Sequence, residues 1–256
     1  MRNANKDAIQ KTKVAIIGAG FGGLAMAIRL LQSQINDFVI LEKTNDVGGT
    51  WRENQYPGAA CDVQSHMYSL SFAPKTDWSK RYAEADEIFT YIQDITEQYK
   101  LKDYCKFNHE VTHAQFDENR NVWTVEFKDQ PTLEAQFVIF ASGPLHVPQI
   151  PHIKGIEKFK GKVFHSSKWE HDYDLSGKSV ASIGTGGSAI QYIPEIAPEV
   201  KQLYVFQRTA AWVIPRDERK YSQLSKTLFK ASNIYRQIHR TRLYWTNESR
   251  VVPIVQ

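Results

Sequence analysis

The sequence predicts an α/β chain with two βαβ units, each opening its own domain, a small antiparallel β-meander in the first domain, and a second domain that is incomplete. Three observations carry that expectation. A short β-branched run ends in a glycine-rich turn twice, over Lys13–Gly23 and again over Ser179–Ala189. Each turn leads into apolar residues at helical spacing and then into another apolar run. Between the two units lie three strand-like runs and a break rich in glycine and proline.

Taken in order, Lys13–Ile17 reads as a buried strand stopped by Gly18. Gly22–Gln34 reads as a helix with Leu24, Ile28 and Leu31 on one face, and Asp37–Glu42 as the next strand. Thr44–Asp62, rich in Gly, Pro and Asn, is expected to be a long loop. Ile88, Tyr91, Ile92, Ile95 and Tyr99 mark an amphipathic helix over Glu84–Leu101. Val111–Phe116, Val122–Phe127 and Ala135–Ala141 are strand-like, and Asp117–Asn121 turns between the first two. Ser142-Gly143-Pro144, Pro148 and Pro151 then break the pattern, so the expected domains are 1–145 and 146–256. The second unit runs from the strand Ser179–Ile183 through a helix from Ser188 to the strand Gln202–Phe206. Ser222–Trp245 reads as one basic amphipathic helix, with Leu224, Leu228, Ala231, Tyr235 and Ile238 on its core stripe and a solvated cationic face.

Composition narrows the class. Of 256 residues, 42% are hydrophobic and 23% charged, which excludes a disordered chain. The net charge of +4 is uneven: Arg216–Arg250 is +6 and the remainder −2, so the basicity is local. A solvated helix face accounts for it, and no nucleic-acid partner is expected. Met1–Lys13 lacks the apolar core of a signal peptide. Val14–Ile28, an uncharged run holding four glycines, is too short to span a bilayer. Cys61 and Cys105 have the spacing of neither a redox pair nor a metal site, which suits a reducing, cytoplasmic setting and no metal.

The two glycine turns carry the chemistry. Gly18-Ala19-Gly20-Phe21-Gly22-Gly23 has the G-x-G-x-x-G spacing of a Rossmann dinucleotide site. Gly18 permits the turn off the strand, Gly20 lets a pyrophosphate approach the backbone, and Gly23 lets helix and strand pack closely. The helix N-terminus adds free N–H groups and a partial positive charge. Nineteen residues past Gly23 stands Glu42, whose carboxylate accepts bonds from ribose hydroxyls and repels a 2′-phosphate. The first site therefore suits FAD or NAD. In Gly184-Thr185-Gly186-Gly187-Ser188-Ala189 alanine takes the third glycine's place. Nineteen residues past Ala189 stands Arg208, followed by Thr209. A guanidinium at the ribose position pairs with a 2′-phosphate, so the second site suits NADP. One site of each kind points to hydride transfer from NADPH to a flavin.

Two further stretches carry a family resemblance. Gly48-Gly49-Thr50-Trp51-Arg52-Glu53-Asn54-Gln55-Tyr56-Pro57-Gly58-Ala59-Ala60-Cys61-Asp62 resembles the G-G-x-W-x(4)-[FY]-P-G-x(3)-D motif of Baeyer–Villiger monooxygenases. Phe159–Trp169 resembles their F-x-G-x(3)-H-x(3)-W fingerprint, with Glu170 where Pro or Asp usually follows. Trp169 separates this branch from related N- and S-oxygenating enzymes, which carry Tyr or Phe there. The resemblance covers about Lys13–Arg216. It implies a flavoprotein that uses FAD, NADPH and O2 to insert one oxygen next to a ketone carbonyl, through a C4a-peroxyflavin. S- or N-oxygenation of a thioether or amine, or a non-catalytic nucleotide-binding fragment, are the alternatives.

Residue by residue, the resemblance implies that Gly22, Thr50, Trp51, Arg52, Glu53, Tyr68 and Val111 line the FAD. It places Ala60, Cys61 and Asp62 at the nicotinamide end of NADP, with Asp62 as the catalytic carboxylate that holds an active-site arginine. Thr185, Gly186, Ser188, Ala189 and Gln191 are implied at the NADP pyrophosphate, and Arg208 and Thr209 at its 2′-phosphate. His165 is read as a structural linker residue. The family's active-site arginine has no match here; Arg216, Arg219 and Arg250 stand in the wrong context. Members of the family are longer, so the polypeptide is expected to be an N-terminal fragment, or the product of a split or truncated gene, that binds flavin poorly by itself.

Overall fold

A computed structural model describes residues 9–144, 147–210 and 216–255. Contacts divide the chain into two compact units, Met1–Glu53 with Phe89–Ile150 and Asn54–Ile88 with Pro151–Gln256. By contacts, Asn54–Ile88 groups with the later residues. The expected domain boundary falls on 145 and 146, outside the described residues.

In the first unit, β1 (Gln10–Ile17), α1 (Phe21–Gln32) and β2 (Phe38–Leu41) form the expected βαβ start. The apolar strand residues Val14, Ala15, Ile16 and all of β2 are buried. α1 buries Gly23, Leu24, Ala27 and Ile28, its face toward the sheet. Burying a side chain the size of Leu24 or Ile28 contributes about 1.5–3 kcal/mol. The helix ends two residues earlier than its apolar spacing suggests. Gln34 takes a left-handed φ of 60°, and the N–H groups of Ser33 and Gln34 donate back to Arg29, Leu30 and Leu31. Inside the expected loop lies a single helical turn, α2 (Thr50–Glu53). α3 (Ala85–Gln98) buries Ile88, Tyr91, Ile92 and Ile95, as their spacing requires, and crosses the division between the units.

β3 (Cys105–Lys106), β4 (Val111–Asp117), β5 (Val122–Phe127) and β6 (Leu133–Phe140) complete a six-stranded sheet of order β3-β2-β1-β6-β5-β4. β3, β2, β1 and β6 run parallel, and β6, β5 and β4 form the expected antiparallel meander. β6 thus belongs to both patterns. Its pairing with β1 makes the meander an extension of the parallel sheet. Val125, Leu133 and Ala135 join Ala15, Val39 and Leu41 in one core.

The second unit holds β7 (Ser179–Ile183), α4 (Ala189–Ile196) and β8 (Gln202–Phe206). The strands pair in parallel from Ser179↔Gln202 to Ile183↔Phe206, as the sequence predicts. Among the described residues this sheet has two strands only, and Ile183, Tyr204 and Phe206 are exposed. The second domain is thus the incomplete one.

The single basic helix expected over Ser222–Trp245 is two helices, α5 (Gln223–Ala231) and α6 (Asn233–Val255). Ser232 separates them in an extended conformation, and its Oγ accepts the N–H of Tyr235 at 3.2 Å, which caps α6. The expected core stripe also faces outward: Leu224 is 70% and Ile238 63% exposed, whereas Phe229 and Leu243 are buried. Hydrogen bonds set that orientation. Arg240 donates to the carbonyls of His66 (2.7 Å) and Ser69 (3.0 Å), and Asn247 exchanges bonds with Gln64 at 2.9 and 3.0 Å. Ser232→Ala should lower stability by about 1 kcal/mol, read as a fall in the thermal midpoint. An unchanged midpoint would show that the cap adds nothing.

Candidate functional site: two glycine loops and a tethered motif

In the first unit the glycine turn sits between the ends of β1 and β6. Gly18 has φ of 108°, and a Cβ there would lie 2.6 Å from the Ala141 carbonyl oxygen. A Cβ on Gly23 would lie 1.9 Å from the Gly18 carbonyl oxygen and 3.3 Å from Ile16 Cγ2, so α1 meets the strand at glycine distance. At Gly20 an added Cβ would meet only Gly49 Cα, at 3.7 Å, which leaves the loop's outer side open. Gly22 is similarly roomy, with Ala141 Cβ at 3.7 Å.

Glu42 is buried beside this loop. Its Oε2 accepts the Ala19 N–H at 2.9 Å, and its Oε1 accepts the Thr44 N–H and hydroxyl at 2.9 and 2.8 Å. A carboxylate offers about four acceptor positions, so these bonds leave room for a further donor. The Gly48 N–H donates to Ala19 at 3.0 Å, which brings the start of the second motif to the first. Thr50, Trp51, Arg52 and Glu53 are the four residues of α2. Arg52 bonds Asn45, and Glu53 pairs with Lys43 at 2.9 Å. Val111, by contrast, packs against the core cluster at the start of β4.

The remaining predicted residues lie in the second unit. Gly184, with φ of 100°, ends β7, and nothing stands within 4 Å of where a Cβ would be on Gly184, Gly186 or Gly187. Gln207 donates to the Thr185 hydroxyl at 3.0 Å across the strand ends. Ser188 is the N-cap of α4, and Ala189, its first residue, is buried. Arg208 and Thr209 are exposed just past β8, and Arg208 forms no salt bridge among the described residues.

The structure also joins residues that the sequence leaves separate. The Gln191 side chain reaches the Tyr56–Asp62 segment: its Oε1 accepts from Tyr56 Oη (3.0 Å) and Ala60 N (3.1 Å), and its Nε2 donates to Ala60 O (3.0 Å) and Asp62 Oδ1 (3.2 Å). Gln191, expected at a pyrophosphate, is therefore held by the motif that contains Asp62. His165 accepts the Ser167 N–H at 3.1 Å and so caps the 3-10 turn Ser166–Lys168, a structural role in keeping with its sequence reading. Trp169, which follows that turn, packs on Tyr192 of α4 with ring centroids 5.3 Å apart. Tyr68 lies in a turn where its N–H donates to Gln64 O at 2.9 Å.

Both cysteines are free. Burial pushes the Cys61 thiol up to about 11, with the Asp62 charge adding to it, and burial pushes Cys105 up to about 12, helped by Glu42 and Asp46. Neither is a thiolate at neutral pH, so neither has the reactivity that disulfide exchange requires. No helix among the described residues is long and apolar enough to cross a membrane.

Residues 15–249 match the family model described as "Pyridine nucleotide-disulphide oxidoreductase". The chain belongs to this family. A Baeyer-Villiger monooxygenase of Streptomyces coelicolor is 45% identical over 242 residues, 94% of this chain and 46% of the relative. An oxidized steroid monooxygenase bound to NADP is similar in structure, with a TM-score of 0.80 and 38% identity over 87% of this chain and 43% of that one. The OTEMO complex with FAD and NADP gives a TM-score of 0.79 at 33% identity, over 86% and 44% of the two chains. The chain thus spans about half the length of the curated relative it matches.

Proposed function

We infer that the chain carries the cofactor-binding part of a flavoprotein monooxygenase, which uses NADPH and O2 to insert one oxygen next to a ketone carbonyl and gives an ester or lactone. The observation that carries the reading is the 45% identity to a Baeyer-Villiger monooxygenase over 94% of the chain. Residues 1–145 supply the FAD-binding residues and 146–256 the NADP-binding residues. A reducing, cytoplasmic setting agrees with two free thiols.

The residues present fit both cofactors. The open side of Gly20 admits a pyrophosphate to the backbone at the start of α1. Glu42 stands beside it with acceptor capacity for a ribose hydroxyl. Thr50–Glu53, in the same unit as this loop, add to the flavin's surroundings. The bare glycines of the second loop, with Thr185, Ser188 and Ala189, leave room for the NADP pyrophosphate, and Arg208 and Thr209 supply donors for its 2′-phosphate. Ala60, Cys61 and Asp62 stand at the nicotinamide end. The flavin, when bound, supplies the two-electron chemistry that connects NADPH to O2. Asp62 adds a carboxylate that orients a cationic partner.

The test is incubation of the chain with FAD, NADPH, O2 and either a cyclic ketone or a thioether. Ester from the ketone is the expected product. Sulfoxide without ester would favour the S-oxygenating alternative, and bound cofactors without product would identify a cofactor-binding fragment. Arg208→Ala should weaken NADP+ binding about 10- to 100-fold, the loss of a charge-assisted pair, and leave NAD+ binding unchanged. Equal losses for both nucleotides would remove Arg208 from the 2′-phosphate.

A further inference from the structure

We propose that Gln191 is a positioning residue, whose amide locks the Tyr56–Asp62 segment onto the first turn of α4 and so fixes where the Asp62 carboxylate stands. The proposal rests on the reading that Asp62 works at the nicotinamide end of NADP.

The first argument is saturation. A glutamine amide has two N–H donors and two acceptor lone pairs. Tyr56 and Ala60 fill both acceptor positions, and Ala60 and Asp62 take both donors. No polar capacity is left for a phosphate oxygen. The orientation of the amide is also decided, because the Ala60 N–H can only donate and so needs the amide oxygen opposite it, and the Ala60 carbonyl can only accept and so needs the amide N–H. A flipped amide would set N–H against N–H and oxygen against oxygen.

The second argument is the shape of the segment. Alternate residues face α4: Tyr56 through its hydroxyl, Gly58 through its backbone, Ala60 through its peptide and Asp62 through its carboxylate. A Cβ on Gly58 would lie 2.9 Å from the Gln191 carbonyl oxygen and 2.8 Å from Glu195 Cγ, and its φ is 73°. The residues between them pair elsewhere: Cys61 N donates to Ala83 O at 3.0 Å, and Ala59 O accepts from Ala85 N at 2.8 Å. The segment turns at Tyr56–Ala59, where the Ala59 N–H donates to Tyr56 O at 3.1 Å, and bridges Glu84 at Ala60, so it is clamped between 83–85 and the helix.

The third argument is the bracing of the helix itself. Tyr192, next to Gln191, is held by Ser182 of β7 at 2.7 Å and by the Trp169 ring. His165 shapes the turn that presents Trp169. The Phe159–Trp169 fingerprint therefore acts on Asp62 through α4, by way of Gln191.

Gln191→Leu in the full chain is the test, read by amide hydrogen exchange, NADP+ binding and NADPH oxidation with FAD present. Exchange at Ala60 should rise about tenfold or more, because its acceptor is lost. Exchange in β7 and β8 should stay as in the parent chain, and NADP+ affinity within about twofold, since no phosphate contact is removed. Where the parent chain turns over, kcat for NADPH oxidation should fall and KM for NADPH hold. Tyr56→Phe, which removes one of the four contacts, should raise Ala60 exchange by a smaller factor. Unchanged Ala60 exchange in Gln191→Leu would overturn the proposal. So would a large loss of NADP+ affinity with Ala60 exchange unchanged, which would make Gln191 a phosphate ligand. If the parent chain binds no NADP+, the functional reading fails while the exchange result still decides the tether.

Discussion

Gly23→Ala should lower the thermal unfolding midpoint by roughly 6–12 °C, whereas Gly20→Ala, three residues away, should leave it nearly unchanged. The added methyl on Gly23 would meet the Gly18 carbonyl oxygen at 1.9 Å, far inside contact distance. That oxygen has nowhere to go. Gly18 donates its N–H to Leu41 O at 2.8 Å, and its own backbone abuts Ala141. Relief requires α1 to move off the sheet, which opens the packing of Leu24, Ala27 and Ile28. Overpacking costs typically 1–3 kcal/mol, and a clash with fixed backbone belongs at the upper end, about 3 kcal/mol. In a chain of this size each kcal/mol moves the midpoint by about 2–4 °C. At Gly20 the same methyl meets only Gly49 Cα at 3.7 Å, and the backbone there, with φ of −86°, accepts alanine. Gly20→Ala should instead weaken FAD binding, because the methyl occupies the space a pyrophosphate needs. Circular dichroism melts and flavin titration read the two effects separately. Equal midpoints for the two variants would refute the packing argument, and equal flavin affinities for Gly20→Ala and the parent would refute the cradle.

The contrast between these glycines marks what the sequence makes legible. Both βαβ starts, the α3 face and the meander are visible because apolar side chains repeat at the period of the element that buries them. The glycine turns are visible because their backbone demands are local. The tether from Gln191 to Asp62 is not, since nothing at position 191 indicates that its amide is spent on a segment more than a hundred residues earlier. The same holds for α6. Its periodicity allows an apolar stripe through Tyr235 and Ile238, but the turned-in face is the one whose Arg240 and Asn247 find polar partners at 64–69. Hydrophobic pattern ranks faces by area, and here specific hydrogen bonds outweigh area. Ser232 could have been read from sequence as a cap, since a serine before an apolar run is a start signal. β3, only two residues long, has no period to detect.

His66 should make the chain lose stability as the pH falls from 7.5 to 5, and His66→Phe should remove much of that loss. The imidazole is buried with ring centroids 4.0 Å from Phe229, 5.0 Å from Tyr221 and 5.3 Å from His239. Neither His66 Nε2 nor His239 Nε2 has a hydrogen-bond partner among the described residues. Burial lowers His66 to about 3, and the charges of His239, Arg240 and Arg236 push the same way. His239 is lowered as well, by burial and then by Arg219, Arg242 and Arg81. In the unfolded chain both titrate near 6.5. Below that value the unfolded state binds protons that the folded state refuses, so stability is full above pH 6.5 and is lost progressively toward pH 3. For His66 alone the loss by pH 5 is about 2 kcal/mol. The lowered carboxyls of Asp77, Glu134 and Asp174 act with the same sign but in the usual carboxylate range near pH 4 and below, so the window from 7.5 to 5 isolates the histidines. Phenylalanine keeps a ring among Phe229 and Tyr221 and removes the titrating nitrogen that lacks a partner. Urea unfolding at the two pH values should then show a fall in the parent chain larger by about 2 kcal/mol than in His66→Phe. Parallel losses in the two proteins would mean that the proton is taken up elsewhere and that His66 is not held neutral by its surroundings.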